Sequence, residues 1–143
     1  MIEEQATRGF DFGALRLAIE GKDPDRLLGF YAEDAELRIV NAALPDGPAF
    51  ELKGRSQIER YLRAVCDQEM TCLVEDEVSS EAVSGGGRIS FGQRCTYPDG
   101  TRVVVKTTLE IVEGGIVRHV DVAHSARREG TGEGVNIRSF RDA

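Results

Sequence analysis

The spacing of the hydrophobic residues changes at about residue 70 of the chain. Before that point most apolar residues recur at helical spacing, and after it they alternate with polar residues. The helical spacing predicts helices over residues 10–20, from 24 to about 31, and from 56 onward. The alternation predicts strands at 35–39, 50–53, 71–83, 88–97, 103–112 and 115–124. Helices followed by a long antiparallel meander are the element order of an α+β fold, with helices on one face of the sheet.

The ends of the predicted helices are marked by residues that favour such positions. Asp23 and Pro24 predict a helix whose N-cap is aspartate and whose first residue is proline. Gly21 suits the left-handed conformation that ends the preceding helix. Ser56 and Glu59 have the spacing of a capping box, in which the two residues satisfy each other's free backbone amides. We therefore expect Ser56 to open the third helix.

The last predicted strand carries both histidines of the sequence, His119 and His124, together with Asp121. Successive side chains of a strand point to opposite faces, so His119 and Asp121 share one face and His124 lies on the other. A two-residue turn at Gly114 and Gly115 would join this strand to the one before it. That register places three polar side chains of the preceding strand on the face of His119 and Asp121, namely Lys106, Thr108 and Glu110.

The same register leaves an apolar stripe on the opposite face of these two strands. The stripe consists of Val103, Val105, Leu109, Val120 and Val122. If the polar groups turn into a cavity, the stripe faces outward and is exposed unless another surface covers it, so we expect a homodimer formed through the outer sheet face. In the alternative arrangement the polar face meets solvent or a partner subunit, as in many one-sided antiparallel sheets.

Length and charge restrict the classes of function. The chain has 143 residues, so we expect one domain over residues 1–126, followed by a flexible hydrophilic tail over 127–143. Its net charge is −7 and its basic residues are scattered, which argues against nucleic acid and membrane surfaces as partners. No apolar run is long enough to span a membrane, and the acidic N-terminus lacks the pattern of a signal peptide, so we expect a cytoplasmic protein.

The cysteines and histidines do not have the spacing of a metal site. Cys66, Cys72 and Cys95 are odd in number and lack a C-x-x-C pair, so we expect reduced, packed thiols and no zinc. A site made of His119, Asp121 and His124 is disfavoured because His124 points to the opposite face. We expect neither a metal nor an organic cofactor.

Three segments of the chain resemble a known superfamily. Residues 28–37 are similar to the helix–aromatic–acidic pair–strand segment of nuclear transport factor 2-like proteins, and residues 54–58 to their entry into the third helix. Residues 114–122 resemble the closing strand of the SnoaL-like polyketide cyclase branch. The resemblance covers about residues 8–125. It implies a cone-shaped cystatin-like fold, with three N-terminal helices packed on a strongly curved, mostly antiparallel sheet.

The resemblance also limits the activities to be expected. In ketosteroid isomerases the catalytic base aligns with Ile39, the oxyanion-hole tyrosine with Leu15 and the protonated acid with Lys106, so that mechanism is excluded. Limonene-epoxide hydrolases need an Arg-x-Asp where residues 88–97 contain no acid, which argues against epoxide hydrolysis. The aspartate in the last strand of SnoaL-like cyclases matches Asp121.

We therefore predict a pocket protein for a small hydrophobic molecule, with proton transfer on a carbonyl compound as its activity. Asp121 would be the general acid or base, its pKa raised by desolvation, and His119 would bind the enolate or carry the proton. The predicted walls are Leu15, Ile19, Tyr31, Leu37, Ile39, Leu62 and Phe91, with polar contacts from Lys106, Thr108 and Glu110. The alternative is a non-catalytic ligand-binding protein or a dimeric accessory domain.

Overall fold

The computed structural model describes residues 10–43, 47, 49–75, 79–83 and 86–126, which contain three helices and seven strands. The helices are α1 (Phe12–Glu20), α2 (Pro24–Leu28) and α3 (Arg55–Cys66). The strands are β1 (Tyr31–Asn41), β2 (Phe50–Lys53), β3 (Thr71–Val74), β4 (Ser79–Val83), β5 (Gly86–Thr96), β6 (Arg102–Val112) and β7 (Gly115–Ala126). This composition confirms the predicted α+β class. The predicted tail at 127–143 lies outside the described residues.

The helix ends agree with one of the three capping predictions. Asp23 caps α2, and its Oδ1 accepts a hydrogen bond from the backbone N–H three residues on, at 3.2 Å. Gly21 does not adopt the predicted left-handed conformation. Lys22 adopts it instead, with a φ of 53°. Ser56 does not cap α3, of which it is already the second residue. The N-cap is Gly54, whose φ of 87° lets the chain turn sharply from β2 into the helix.

The described helices are short. None of the helices in the part of the chain that the structure describes is long and apolar enough to cross a membrane. Their hydrophobic faces are instead used against the sheet, since each helix buries at least one residue in the main core.

The seven strands form one sheet in the order β2–β1–β7–β6–β5–β3, with β4 also paired to β5. Among these strands only β1 and β7 run parallel, so the prediction of a mostly antiparallel sheet is confirmed. The segment 71–83, predicted as one strand, forms two strands that pair with different parts of β5.

The turn between β6 and β7 is shifted by one residue from its prediction. Glu113 and Gly114, not Gly114 and Gly115, take the positive φ values, 51° and 81°. Val112 therefore pairs with Gly115. A bulge follows, and it leaves Val117 without a partner on β6.

This register reverses the two faces of β6. Thr107 lies opposite Asp121, and Leu109 lies opposite His119. Because a one-residue shift moves every side chain of a strand to the other face, three predicted site residues project from the outer face instead. These are Lys106, Thr108 and Glu110, and the prediction that they belong to the site is wrong.

The predicted outer stripe is divided by the same shift. Val103 and Leu109 are buried on the inner face, with 6% and 1% exposure, and Val105 also lines the interior. Val120 and Val122 remain on the outer face, where both are half-buried. The prediction of one continuous exposed stripe is therefore wrong, because three of its five members belong to the interior.

Candidate functional site

A cavity of about 120 Å³ lies between the helices and the inner face of the sheet. Most of its walls are apolar side chains from all three helices and from strands β1, β3, β5, β6 and β7. Its size is close to that of an engineered protein cavity of about 150 Å³ that holds one benzene ring. The space therefore suits a small molecule with an apolar body.

Five side chains form a continuous series of hydrogen bonds along one wall. Tyr31 Oη lies 2.7 Å from His119 Nδ1, and Nε2 of the same ring lies 2.7 Å from Asp121 Oδ1. The Thr107 hydroxyl donates to the same Oδ1 at 2.8 Å. Gln93 Nε2 donates to Thr107 Oγ1 at 2.9 Å. The series crosses four neighbouring strands, β1, β7, β6 and β5.

The direction of each hydrogen bond follows if Asp121 is ionised. A carboxylate only accepts, so His119 donates from Nε2 and Thr107 donates from its hydroxyl. A neutral His119 with its proton on Nε2 accepts at Nδ1, and Tyr31 donates to it. Thr107 has used its proton, so it accepts from Gln93, which fixes the orientation of that amide. Every donor is thus directed toward Asp121.

Asp121 and His119 are enclosed, with 7% and 9% of their surface exposed, and both line the cavity. The alternative in which this face meets bulk solvent is therefore excluded. The two carboxylate oxygens differ in their surroundings. Oδ1 accepts two hydrogen bonds, whereas Oδ2 accepts none from the residues that the structure describes. One oxygen is held by the protein, and the other is available to a ligand.

The structure brings most of the predicted wall together. Leu37 is the exception among the apolar residues, because its side chain is taken up by packing in the core, at 1% exposure, and does not line the cavity. The polar residues predicted on β6 are absent from the wall for the reason of register given above. The predicted apolar residues that do line it are Leu15, Ile19, Tyr31, Ile39, Leu62 and Phe91.

Two residues of the hydrogen-bonded series were missed by the sequence analysis. Thr107 was assigned to the outer face because the sequence analysis did not include the bulge at Val117, which shifts the pairing of β6 with β7 by one residue. Gln93 lies between two buried residues of β5, Phe91 and Cys95, at a spacing of two. That alternation is a signal that could have placed Gln93 on the inner face. The hydrogen bond between Tyr31 and His119 has no equivalent signal in the sequence.

The tyrosines of the chain are three in number, and all are held in their neutral form. Burial raises the pKa of Tyr31 and of Tyr61, and the nearby Asp121 charge raises both further. Burial also raises the pKa of Tyr97, with a smaller contribution from Asp99. An apolar environment disfavours the phenolate, so these hydroxyls stay protonated beyond the usual range of tyrosine.

The prediction of three reduced thiols is wrong. Cys72 on β3 lies directly opposite Cys95 on β5, and the two form a disulfide. Cys66 is free, and burial raises the pKa of its thiol, an effect that the Lys22 ammonium opposes. The disulfide partners could not be paired from the sequence, because their contact depends on the register of two strands separated by β4.

Comparisons with known proteins identify the fold. No protein-family model matches the sequence, and no curated protein matches it either. A candidate ketosteroid isomerase from Kribbella flavida has a similar structure, with a TM-score of 0.64 and 19% identity over 90% of this chain and 84% of that one. A nuclear transport factor 2-like protein of unknown function from Mesorhizobium loti gives a TM-score of 0.65 and 20% identity over 85% and 92% of the two chains.

A candidate polyketide cyclase from Xanthomonas campestris is also similar, with a TM-score of 0.60 and 19% identity over 85% of this chain and 92% of that one. At these identities the likeness shows the fold alone. The predicted nuclear transport factor 2-like, cystatin-like fold is confirmed.

The two neighbouring threonines of β6 provide a direct test of the register. Thr107→Val removes the hydroxyl that bonds both Asp121 and Gln93, so we expect a loss of about 1–3 kcal/mol in the free energy of unfolding. Thr108→Val, the same change on the outer face, removes only a long, part-buried hydrogen bond of 3.4 Å with Ser90, so the loss should be smaller, at about 0.5 kcal/mol or less. Urea unfolding of the two variants measures both values. Equal losses, or a larger loss at Thr108, would contradict the register.

Ionisation of the buried tyrosines should destabilise the folded protein at alkaline pH. Burial raises the pKa of each tyrosine in the folded protein. The contribution of the neutral tyrosines to the stability of the fold is therefore fully present below the unfolded pKa of about 10 and is lost as the pH rises above it. We expect the folded protein to show little tyrosinate absorbance at pH near 10, whereas the urea-unfolded chain titrates there normally. The unfolding temperature should fall above that pH, and less so in Tyr61→Phe. Normal titration of all the tyrosines in the folded protein would show that they are not buried.

Proposed function

We propose that the protein binds a small hydrophobic carbonyl compound in the cavity and transfers a proton at the carbon beside the carbonyl. The observation that carries the proposal is the enclosed carboxylate of Asp121, with one oxygen fixed by two hydrogen bonds and the other without a partner among the described residues. An apolar cavity excludes water, and a fixed carboxylate there can act as a general base.

The step begins when Asp121 Oδ2 takes a proton from the carbon next to the carbonyl. The electron pair of the broken C–H bond forms a carbon–carbon double bond, and the carbonyl oxygen becomes an enolate oxygen. If the substrate is β,γ-unsaturated, the enolate is a dienolate, and return of the proton from Asp121 to its γ-carbon completes an isomerisation. If the enolate carbon instead attacks a second carbonyl of the same molecule, the new alkoxide oxygen takes the proton from Asp121, which completes a cyclisation and restores the carboxylate. No redox partner is needed, because no electrons leave the substrate.

His119 has a positioning role in this proposal. Both of its ring nitrogens are engaged, one by Tyr31 and one by Asp121, so the sequence-based expectation that it binds the enolate is replaced. Its hydrogen bond orients the carboxylate and balances part of its charge. Gln93 uses one N–H on Thr107, so its second N–H is the donor we assign to the developing oxyanion.

Two observations support a cyclase or isomerase of the SnoaL-like type. The closing strand carries the aspartate of that branch at Asp121, and solved structures with this fold include candidate isomerases and polyketide cyclases. The second candidate function is ligand binding without catalysis, favoured by the apolar character of most of the cavity wall.

The cytoplasmic location predicted from the N-terminus remains a proposal. The disulfide argues against it, because disulfides are typical of oxidising compartments.

We retain the homodimer as a proposal, supported by three half-buried valines on the outer face, Val104, Val120 and Val122. Covering them in a second copy would remove apolar surface from water. Light scattering at micromolar concentration should then give twice the chain mass of 15.7 kDa. A value equal to one chain, unchanged at higher concentration, would contradict the dimer.

Replacing the proposed base separates catalysis from binding. Asp121→Asn keeps the size of the side chain but cannot take up the proton, so we expect exchange of the α-protons of propiophenone in deuterium oxide to fall by about 100-fold or more. Affinity for the ketone should change little, because most of the contact is apolar. Proton NMR follows the exchange, and calorimetry measures the affinity.

Asp34→Asn is the matched control for this experiment, since Asp34 is exposed on β1. It should exchange protons at the wild-type rate. If Asp121→Asn exchanges as fast as the wild-type protein, the base is elsewhere. If the wild-type protein binds the ketone without any exchange above the buffer rate, the site is a binding pocket, as in the second candidate function.

A further inference from the structure

One basic side chain that the proposed reaction does not use lies in the cavity wall. Lys22, in the turn between α1 and α2, lines the same cavity as Asp121. Apart from His119, the other wall residues that the structure describes are apolar, neutral polar or acidic at neutral pH. Among the described residues, Lys22 is therefore the one wall residue that carries a fixed positive charge.

The ammonium of Lys22 has no carboxylate partner among the described residues. Its Nζ contacts the main-chain oxygen of Gln68, just after the end of α3. The nearest acidic residues along the chain are already used, because Glu20 accepts hydrogen bonds from Arg16 and from the backbone of Val74, and Asp23 caps α2. Since an ammonium has three donors, Lys22 keeps capacity for an external acceptor.

The backbone at Lys22 is also unusual. Its φ of 53° is left-handed, a conformation that costs a non-glycine residue free energy, although Gly21 directly precedes it and could have taken that position. Backbone strain of this kind is concentrated at ligand sites. The glycine lies one position before the left-handed residue, so the side chain at the left-handed position is that of a lysine in the cavity wall.

Lys22 and Asp121 belong to different ends of the cavity. Asp121 pairs with Thr107, and Thr107 pairs with Phe91 of β5. Lys22 contacts the segment that leads into β3, whose first residue pairs with Thr96, five residues farther along β5 than Phe91. Burial raises the pKa of the thiol of Cys66, another wall residue, and the Lys22 charge is close enough to oppose that rise.

From this arrangement we infer that Lys22 binds a carboxylate on the ligand, so that the ligand class is a hydrophobic keto acid. The apolar body fills the cavity, the carbonyl end lies at Asp121, and the carboxylate end lies at Lys22. The carboxylate assignment stands on Lys22 alone, while the position of the carbonyl rests on the proposed function. Lys22 is thereby a specificity-determining residue rather than a catalytic one.

A structural role for the same lysine makes a different prediction. A cation near the last carbonyls of α3 favours the helix C-terminus whatever ligand is present. Loss of that role would weaken the binding of charged and neutral ligands alike, by loosening the wall. Loss of a carboxylate contact would weaken only the binding of the charged ligand.

The test compares β-benzoylpropionate, an aryl ketone with a carboxylate, with its neutral amide, β-benzoylpropionamide. Calorimetry on the wild-type protein should show tighter binding of the carboxylate. Lys22→Met should lower that affinity by about tenfold or more and lower the affinity for the amide much less, since an ion pair is lost only in the first case. Lys53→Met, a change at an exposed lysine of β2 outside the cavity wall, should affect neither ligand.

Lys22→Gly tests the same contact even if Lys22→Met does not fold stably. Glycine accepts the left-handed backbone, so this variant should unfold at the wild-type temperature or above it and still lose the preference for the carboxylate. Equal affinities of the wild-type protein for the two ligands, including no measurable binding of either, would overturn the inference. So would a parallel loss of both affinities in a folded Lys22→Gly.

The failure of this inference can be distinguished from a failure of the proposed function. Exchange of the ketone α-protons, measured on the same two compounds, reports on Asp121. A Lys22-dependent preference for the carboxylate without any exchange would support the ligand class and reject the catalyst. If exchange depends on Asp121 but the protein binds both compounds with equal affinity, the result would support the catalyst and reject the ligand class.

Discussion

The register of the β6–β7 hairpin determines which side chains surround the buried carboxylate. Two consecutive positive φ values at Glu113 and Gly114 set the turn, and the unpaired Val117 then adds one residue to β7. Together they place the Thr107 hydroxyl opposite Asp121. A shift by one residue would bring Thr108 inward instead and leave Leu109 and Val103 facing water. Apolar packing and the hydrogen bonds to Asp121 therefore select the same register.

The hydrogen-bonded series explains how a carboxylate remains in a largely apolar wall. Burying a charge without partners costs several kcal/mol, and hydrogen bonds to charged groups return about 1.5–3 kcal/mol each. Two such bonds reach Oδ1, from His119 and Thr107, and each donor is in turn held by a further group. Four strands take part, so the position of Asp121 depends on the whole centre of the sheet rather than on β7 alone.

The sequence predicted the element order, the fold and the two central residues, but not their surroundings. Periodicity and the Asp23 cap are local signals, and the pairing of His119 with Asp121 needs only the alternation within one strand. The partners across the sheet need the register, and that depended on the positive φ of Glu113 and on the bulge at Val117, neither of which a residue preference predicts. The same limit applies to Cys72 and Cys95, which become neighbours only when β3 is aligned on β5.

The arrangement of the site is more easily explained by a ligand than by stability. A polar network that served only to hold the strands together would satisfy both oxygens of Asp121 and leave no space beside it. Instead Oδ2 has no partner in the described part of the chain, and the adjoining space of about 120 Å³ is bounded by apolar side chains that gain from being filled. A molecule that occupies this space must be mostly apolar, because the walls offer few hydrogen bonds. It must also carry an acidic hydrogen or a donor where it meets Oδ2, because a second acceptor there would be repelled. The carbon acid beside a carbonyl that we propose as the ligand meets both conditions, because its acidic hydrogen can point at Oδ2 while its body fills the apolar space.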